Sequence, residues 1–187
     1  MPTVLVPLAN GVEEMEAVIL IDVLRRAEWQ VVVAGVDDGV IKASRGVRLV
    51  PDTPWADLTP DDFDILALPG GAGGTDRLSQ HQPLLELIRR FDRAGKWIGA
   101  ICAAPLVLQA AGILTGRQIT CNPGVAAKLT VTPRRTERVV VDGRLVTSQG
   151  PGTTFEFALT LIRLVEGEAK ARTLAESMLV PPFDQAR

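Results

Sequence analysis

Short apolar runs alternate with helical segments along the chain, and this alternation restricts the fold more than any other feature of the sequence. The apolar runs, which are typical of strands buried on both faces of a sheet, cover residues 4–8, 31–34, 64–68 and 97–101. Helical patterns cover about residues 13–27, 83–94, 106–111, 153–166 and 168–178. Because strand–helix–strand units build a parallel sheet covered by helices, the sequence predicts an α/β fold, a doubly wound sandwich with a mostly parallel central sheet.

Two predicted hairpins interrupt this alternation. Residues 40–43 and 47–50 flank Ser44-Arg45-Gly46, and residues 138–141 and 145–148 flank Asp142-Gly143, a strong hairpin signal. No internal repeat, low-complexity linker or shift in composition marks a domain boundary. With 187 residues and 47% hydrophobic composition, the chain is predicted to form a single domain, residues 1–187, with a sizeable core.

Charge and cysteine content exclude several classes of protein. The net charge is −2, and Glu137 interrupts the densest basic cluster, Arg134, Arg135 and Arg138, so specific nucleic-acid binding is not expected. Two cysteines cannot build a disulfide framework, which indicates a reducing compartment, the cytoplasm. The sequence begins with a strand-like run and has no apolar stretch of about 20 residues, so we expect a soluble protein without a signal peptide or membrane span.

Cys102 lies at a predicted turn from a strand into a helix. It follows the apolar run 97–101 and precedes Pro105, which suits the first turn of a helix that Gly112 closes. A thiol at this junction faces orphan backbone N–H groups and the positive end of a helix dipole, and both lower the pKa of a thiol. The alternative is a buried structural cysteine, the commonest environment for this residue type. The segment alone leaves both interpretations open.

Two other turns are predicted to meet the Cys102 turn, because the carboxyl ends of parallel strands share one crevice. The first turn carries Glu13, Glu14 and Glu16, and the second is the glycine-rich stretch 69–74. That stretch lacks the spacing and the Lys-Ser/Thr ending of a nucleotide-binding loop. It can present backbone N–H groups to a developing oxyanion, or it can simply form a turn that needs positive φ angles.

The carboxylates of the first turn also have two interpretations. Glu13 and Glu14 are explained by stabilisation of a helix start. Glu16 lies further into a largely apolar helix, and a carboxyl buried beside a thiol would have a raised pKa and could shuttle protons. Because glutamate is rarely buried, the residues alone favour a surface position for Glu16.

Four motifs of the chain occur together in a characteristic order and spacing. They are Gly11-Val12-Glu13-Glu14-Met15-Glu16, Leu68-Pro69-Gly70-Gly71, Ala100-Ile101-Cys102-Ala103-Ala104-Pro105 and Thr147-Ser148-Gln149-Gly150-Pro151-Gly152-Thr153. They resemble those of the ThiJ/PfpI superfamily, in particular the branch that contains the parkinsonism-associated protein deglycase and its bacterial relative YajL. The resemblance extends over essentially the whole chain. It implies a flavodoxin-like fold, with a nucleophilic cysteine at a strand-to-helix elbow, and a homodimer.

The resemblance also implies activities and residue roles. Members of this branch are described as cofactor-independent glyoxalases, as deglycases of glycated proteins and nucleotides, as chaperones and as oxidative-stress sensors. By resemblance, Cys102 is the nucleophile and the oxidation-prone thiol, and Glu16 is the protonated carboxyl that hydrogen-bonds its sulfur. Gly71 and Ala103 match positions whose backbone N–H groups form an oxyanion pocket.

Two arginines match family positions near a pocket that the dimer lines. By resemblance, Arg26 and Arg45 can hold an anionic group of a substrate there. Apart from the resemblance, either side chain can be an ordinary surface charge, and Arg26 can cap the end of its helix.

One departure from the family's pattern concerns histidine. Many members place a histidine near the cysteine in a Thr-His-Pro segment, where this chain reads Thr120-Cys121-Asn122-Pro123. The only histidine, His81, lies in a polar turn and is predicted to be a solvated surface residue. Protease-type members carry a histidine directly after the nucleophile, where this chain has Ala103, so peptidase activity is not expected. Asn122 can still orient a substrate carbonyl.

The sequence and the resemblance predict a glyoxalase III-like hydro-lyase and protein deglycase, a hydrolase that acts on methylglyoxal-type 2-oxoaldehydes or their early adducts on protein or nucleotide groups. No metal or organic cofactor is expected, because Cys102, Cys121 and His81 lack the spacing of a zinc site. The alternative is an oxidative-stress sensor or redox-regulated chaperone that works through oxidation of Cys102 to sulfenic and sulfinic acid.

Overall fold

A computed structural model describes residues 1–59 and 62–181, and a seven-stranded sheet lies at its centre. The strands of the sheet are β1 (Thr3–Leu8), β2 (Gln30–Gly35), β5 (Thr53–Pro54), β6 (Ile65–Leu68), β7 (Trp97–Ile101), β8 (Val139–Asp142) and β9 (Leu145–Ser148). A separate hairpin of two-residue strands pairs β3 (Ile41–Lys42) with β4 (Arg48–Leu49). The sheet order is β5-β2-β1-β6-β7-β9-β8, in which β8 is antiparallel to β9 and all other neighbours are parallel.

Helices cover both faces of the sheet. Short 3₁₀ segments lie at Trp55–Asp57, Pro123–Lys128 and Pro151–Thr153. The α-helices are α1 (Glu14–Arg26), α2 (Ala72–Leu78), α3 (Gln82–Arg93), α4 (Pro105–Ala111), α5 (Thr154–Glu166) and α6 (Glu168–Ser177). In the described part of the chain, no helix is both long enough and apolar enough to cross a membrane.

The core consists of two apolar clusters, one on each face of the sheet. Successive residues of a strand point to opposite faces, so Val4 and Val6 belong to one cluster and Leu5 to the other. Buried side chains of α1 and α5 complete the first cluster, and those of α3 and α4 complete the second. A sheet covered on both faces explains why its strands read as continuous apolar runs.

The predicted α/β fold with a mostly parallel sheet is confirmed, and so are both hairpins. One element differs: the glycine-rich stretch read as a turn becomes helical at Ala72 and forms the short helix α2. Gly73 and Gly74 are poor helix formers, so propensity argues against this helix. It forms because tertiary contacts favour it, with Thr75 and Leu78 buried against the rest of the protein.

The order of the strands determines where the site lies. β1, β6 and β7 are parallel neighbours, so the turns that follow them lie at one edge of the sheet. The turn after β1 leads into α1, which carries Glu16, and the other two turns carry Gly71 and Cys102. The predicted meeting of the three turns therefore follows from the topology.

Candidate active site

Cys102 occupies a strained elbow directly after β7. Its φ of 64° lies in the left-handed region, which is uncommon for a residue with a side chain. Two backbone hydrogen bonds hold this conformation: the Cys102 N–H donates to the Ser148 carbonyl (3.0 Å), and the Cys102 carbonyl accepts from the Asn122 N–H (2.9 Å). Gly70 makes room for the turn, because a Cβ at position 70 would lie 2.7 Å from Cys102 Cβ. Contacts with Ser148, Asn122 and Gly70 therefore hold the elbow in place.

Glu16 is fully buried on α1, so the surface position favoured by the residues alone is wrong. Its Oε2 accepts a hydrogen bond from the Gly70 N–H at 2.8 Å, and the carboxyl lies beside the Cys102 thiol. Its other oxygen, Oε1, is buried without a hydrogen-bond partner among the described residues. The carboxyl is thus fixed against the thiol with one oxygen incompletely hydrogen-bonded.

Burial raises the pKa of Glu16 to about 7. The hydrogen bonds from Cys102 and from the Gly70 N–H oppose this rise, and the nearby charge of Glu13 adds to it. A carboxyl with this pKa exchanges its proton near neutral pH, which suits general acid–base chemistry.

The pKa of Cys102 is raised to about 12, opposite to the predicted lowering. Burial is the largest cause, followed by the charge of Glu16 and the hydrogen bond with it, whereas hydrogen bonds from the Gly71 and Ala103 N–H groups lower the pKa. The prediction considered only the local turn and not the carboxyl that the fold places beside the thiol. The pair therefore retains a proton at neutral pH, and Glu16 is the adjacent base that can accept it from the sulfur.

Backbone N–H groups of Gly71 and Ala103 face the Cys102 sulfur. Gly71 has a φ of 93°, and a Cβ there would collide with the backbone of Gly11 and Glu13. The glycine-rich turn thus needs its positive φ angle and also directs an N–H at the thiol. Two N–H donors at a nucleophile form the arrangement of an oxyanion pocket.

Asn122 contacts the site through both its backbone and its side chain. Its backbone N–H reaches the Cys102 carbonyl, and its Oδ1 accepts from the Gly124 N–H at 2.9 Å. The preceding Cys121 is fully buried, and its Sγ lies 3.4 Å from the Asn122 carbonyl. Burial raises the pKa of Cys121, although the charge of Arg134 opposes this. Cys121 is therefore a buried thiol with hydrogen-bonding partners of its own.

The two predicted anion-binding arginines, Arg26 and Arg45, lie at the end of α1 and on the β3–β4 hairpin. Arg26 pairs with Asp22 one helical turn earlier (2.7 Å), and it follows Glu16 by roughly 15 Å along α1. Arg45 lies in the loop of the β3–β4 hairpin, where its backbone N–H donates to Glu14 Oε1 (2.8 Å) and its side chain is exposed. The structure thus does not bring Arg26 to the site of its own chain.

His81 is half-buried, so its predicted solvated position is wrong. Its ring meets the Trp55 ring edge-on, with centroids 4.9 Å apart. Burial lowers the pKa of His81, and the charge of Asp37 opposes this. Within residues 1–59 and 62–181, no group of three or more histidine, cysteine or acidic side chains is placed to hold a metal ion.

Sequence reasoning missed the role of Glu14. The helix-start explanation leaves its side chain in solvent, but only 7% of the residue is exposed. Its two oxygens accept hydrogen bonds from the Ser44 hydroxyl and the Arg45 N–H, both at 2.8 Å. No local signal reveals this contact, because the hairpin that supplies the donors lies about thirty residues further along the chain.

Known proteins are similar in sequence to this chain over most of its length. DJ-1 homolog B of Arabidopsis thaliana is 41% identical over 181 residues, which are 96% of this chain and 41% of the plant protein. The chain thus spans less than half of that relative's length. The glutathione-independent glyoxalase DJR-1.2 of Caenorhabditis elegans is 39% identical over 168 residues, 89% of each protein.

A solved structure and a family model also match this chain. The oxidised form of Toxoplasma gondii DJ-1 superposes with a TM-score of 0.93 at 37% identity, covering 97% of this chain and 100% of that one. The model of the DJ-1/PfpI family matches residues 2–164, which include all three turns of the site. The chain therefore belongs to the DJ-1/PfpI family.

Proposed function

We propose that this protein is a glyoxalase and deglycase that acts on methylglyoxal-type 2-oxoaldehydes and on their early adducts with protein or nucleotide groups. The observation that carries this proposal is the buried contact between the Glu16 carboxyl and the Cys102 thiol, next to two backbone N–H donors. The family membership and the glyoxalase name of the nematode relative agree with it. Every group that the reaction needs belongs to the chain or to water, so the proposed reaction uses no metal or organic cofactor.

The first step joins Cys102 to the substrate. The sulfur attacks the aldehyde carbon while the Glu16 carboxylate accepts the thiol proton, and a hemithioacetal forms. The N–H groups of Gly71 and Ala103 hold the developing alkoxide. Asn122 can orient the neighbouring carbonyl of the substrate, and an anionic group of a larger substrate would meet Arg45 or, through a partner protomer, Arg26.

The second step rearranges the adduct. Glu16 first returns the thiol proton to the alkoxide. The carboxylate then removes the proton from the former aldehyde carbon and delivers it to the neighbouring carbon, while the hydroxyl proton of the adduct passes to the neighbouring oxygen. These transfers convert the hemithioacetal into the thioester of a 2-hydroxy acid. Positioned acid–base catalysis of this kind contributes about 10²–10⁴-fold. Water then hydrolyses the thioester, which releases lactate when the substrate is methylglyoxal and regenerates the Cys102 thiol. The net change is the addition of water to the substrate.

Replacement of the nucleophile tests this proposal. Cys102→Ser is expected to abolish lactate formation from methylglyoxal, because a serine hydroxyl has a far higher pKa and is a weaker nucleophile at this site. Cys121→Ser is the matched control and is expected to retain turnover. Lactate formation by Cys102→Ser at the wild-type rate would refute the proposal.

A second candidate function is oxidative-stress sensing or redox-regulated chaperoning through Cys102. It is favoured by the same contact, because a protonated Glu16 can donate a hydrogen bond to a sulfinate and stabilise that oxidation state. Intact-mass analysis after mild peroxide treatment distinguishes the two functions. A stable gain of two oxygens on Cys102 with negligible dicarbonyl turnover would favour sensing, whereas an unmodified Cys102 would count against it.

We also propose that the protein is a homodimer. Large apolar side chains are exposed on α1, at Met15 (55%) and Val18 (48%), and on the adjacent hairpin segment, at Val47 (47%) and Val50 (77%). Exposed apolar side chains on neighbouring segments favour an interface at this face. Sedimentation is expected to give a dimer for the wild type and a monomer for Val18→Arg, and a monomeric wild type would contradict this assignment.

The need for reduced Cys102 favours a reducing compartment such as the cytoplasm.

A further inference from the structure

The proposed reaction consumes water at a buried thioester, so the site needs a place for that water. Only 9% of Cys102 is exposed and Glu16 is not exposed at all. The space beside Gly150 is bordered by two side-chain atoms of the site. A Cβ at position 150 would lie 3.3 Å from Asn122 Nδ2 and 4.0 Å from Glu16 Oε1. We call this space the Gly150 recess.

The backbone groups of Gly150 itself are both hydrogen-bonded. The Gly150 N–H donates to Thr153 Oγ1 (3.1 Å), and the Gly150 carbonyl accepts from the Thr153 N–H (2.8 Å). These bonds hold Gly150 in place. The polar atoms that face it across the recess are Asn122 Nδ2 and Glu16 Oε1. Gly150 is therefore a rigid surface without a side chain.

Asn122 can only donate into the recess. Its Oδ1 is engaged by the Gly124 N–H, and this bond determines which end of the amide faces Gly150. The Nδ2 group carries two hydrogens and no acceptor, so a molecule that binds there must offer an oxygen lone pair.

Glu16 supplies the complementary group. Its Oε1 borders the same recess and is buried, with no partner there among residues 1–59 and 62–181. A buried carboxylate oxygen without a partner is costly, and a bound water that donates a hydrogen to it removes the cost. A donor and an acceptor that meet at one small polar space are the partners a water molecule requires.

We propose that the Gly150 recess holds the hydrolytic water of the reaction, with Asn122 Nδ2 donating to its oxygen and Glu16 Oε1 accepting one of its hydrogens. The inference rests on the proposed function and assigns the step that releases the product. Asn122 positions the water, Glu16 acts as its base, and Gly150 keeps the recess open.

Hydrolysis of the thioester passes one proton through Glu16. Glu16 takes a proton from the water as its oxygen attacks the thioester carbon, and the resulting oxyanion is held by the Gly71 and Ala103 N–H groups. The carbon–sulfur bond then breaks, the Cys102 sulfur takes the proton from Glu16, and the 2-hydroxy acid leaves. Nothing is oxidised or reduced in this step.

Gly150→Ala tests the recess by filling it with one methyl group. The φ of 166° at Gly150 is extended backbone that alanine adopts. We expect a fall in lactate turnover of about tenfold or more, with a methylglyoxal-derived thioester accumulating on Cys102. Acid quenching, intact-mass analysis and release of the acyl group by hydroxylamine measure that thioester. Wild-type turnover, or lost turnover without an accumulated thioester, would overturn the proposal.

Asn122→Asp tests the donor separately. Aspartate keeps an oxygen for the Gly124 N–H but replaces Nδ2 by a charged acceptor beside Glu16, which raises the pKa of Glu16. We expect slower thioester hydrolysis and a pH profile shifted to higher pH. Gln109→Glu makes the same chemical change on α4, where the amide contacts Lys128 and Thr130, and is expected to leave both unchanged. An unshifted profile in Asn122→Asp would overturn the role of Asn122.

Failure of the proposed function and failure of the water site give different results. If Cys102→Ser still forms lactate, the proposed function fails. If Cys102→Ser is inactive while Gly150→Ala and Asn122→Asp behave like the wild type, only the water site fails.

Discussion

Glu14 and Glu16 lie two residues apart on the first turn of α1, and both are buried, yet their chemistry is opposite. Partial burial raises the pKa of Glu14, but hydrogen bonds that include those from Ser44 and Arg45 outweigh it, and the pKa is lowered. At Glu16, burial outweighs the hydrogen bonds from Cys102 and Gly70, and the pKa rises to about 7.

The comparison shows that burial alone does not make a carboxyl an acid–base catalyst. Glu14 has hydrogen-bond donors on both oxygens, which stabilise its charged form and let it tether the β3–β4 hairpin. Glu16 has a backbone donor on Oε2 only, and its Oε1 borders the Gly150 recess without a hydrogen-bond partner among the described residues. The depth of burial and the number of donors together decide whether the carboxyl keeps its charge or exchanges a proton.

The largest expected effect is on turnover. Glu16→Gln removes the exchangeable proton and is expected to lower kcat for lactate formation by about 10²–10⁴-fold. Glu14→Gln makes the same change two residues away and is expected to leave kcat near the wild-type value. Equal losses in the two variants, measured by steady-state kinetics, would remove the distinction between the two carboxyls.

The next effect is on stability as a function of pH. Because the pKa of Glu16 is raised from 4.5 to about 7 in the folded protein, the free energy of unfolding falls as pH rises through that window, by roughly 3 kcal/mol. The lowered pKa of Glu14 has the opposite sign: its stabilisation is present above the ordinary carboxyl pKa and is lost as pH falls through the folded value.

Urea unfolding at a series of pH values measures both contributions. Relative to the wild type, Glu16→Gln is expected to become more stable between pH 4.5 and about 7, whereas Glu14→Gln is expected to become less stable from acid to neutral pH. A Glu16→Gln curve parallel to the wild type would contradict the raised pKa.

The smallest effect concerns a donor to Glu14. Ser44→Ala removes the 2.8 Å hydrogen bond to Glu14 Oε2 and is expected to cost about 1 kcal/mol of stability with no change in kcat. Ser177→Ala, whose hydroxyl donates only to the carbonyl of Leu174 in its own helix, is the control and is expected to cost less. A fall in kcat for Ser44→Ala would mean that the Glu14 tether also supports the chemistry.

Much of the fold could be predicted because its signals are local. The apolar run 97–101 coincides with β7, and Pro105 and Gly112 mark the ends of α4 where Pro and Gly are expected. The glycine-rich α2 could not be predicted, since tertiary packing overrides its low helix propensity.

The site was only partly predictable, because its decisive contacts are distant in sequence. Glu16 is buried where the Gly70 N–H, 54 residues away, donates to its carboxyl, whereas its residue type favoured the surface. The pKa of Cys102 was predicted from its own turn, while the group that controls it lies on α1. The resemblance implied the pair and a protonated Glu16, but the pKa values of both groups depend on burial and contacts that no sequence pattern contains.

The central claim is that Glu16 controls the proton of Cys102, and thiol reactivity as a function of pH tests it most directly. The rate of Cys102 alkylation should be measured across pH in the wild type and in Glu16→Gln, with peptide mapping to separate Cys102 from Cys121. Because the Glu16 charge raises the pKa of Cys102, the profile of Glu16→Gln is predicted to move to lower pH. Identical profiles, or a shift to higher pH, would contradict the account.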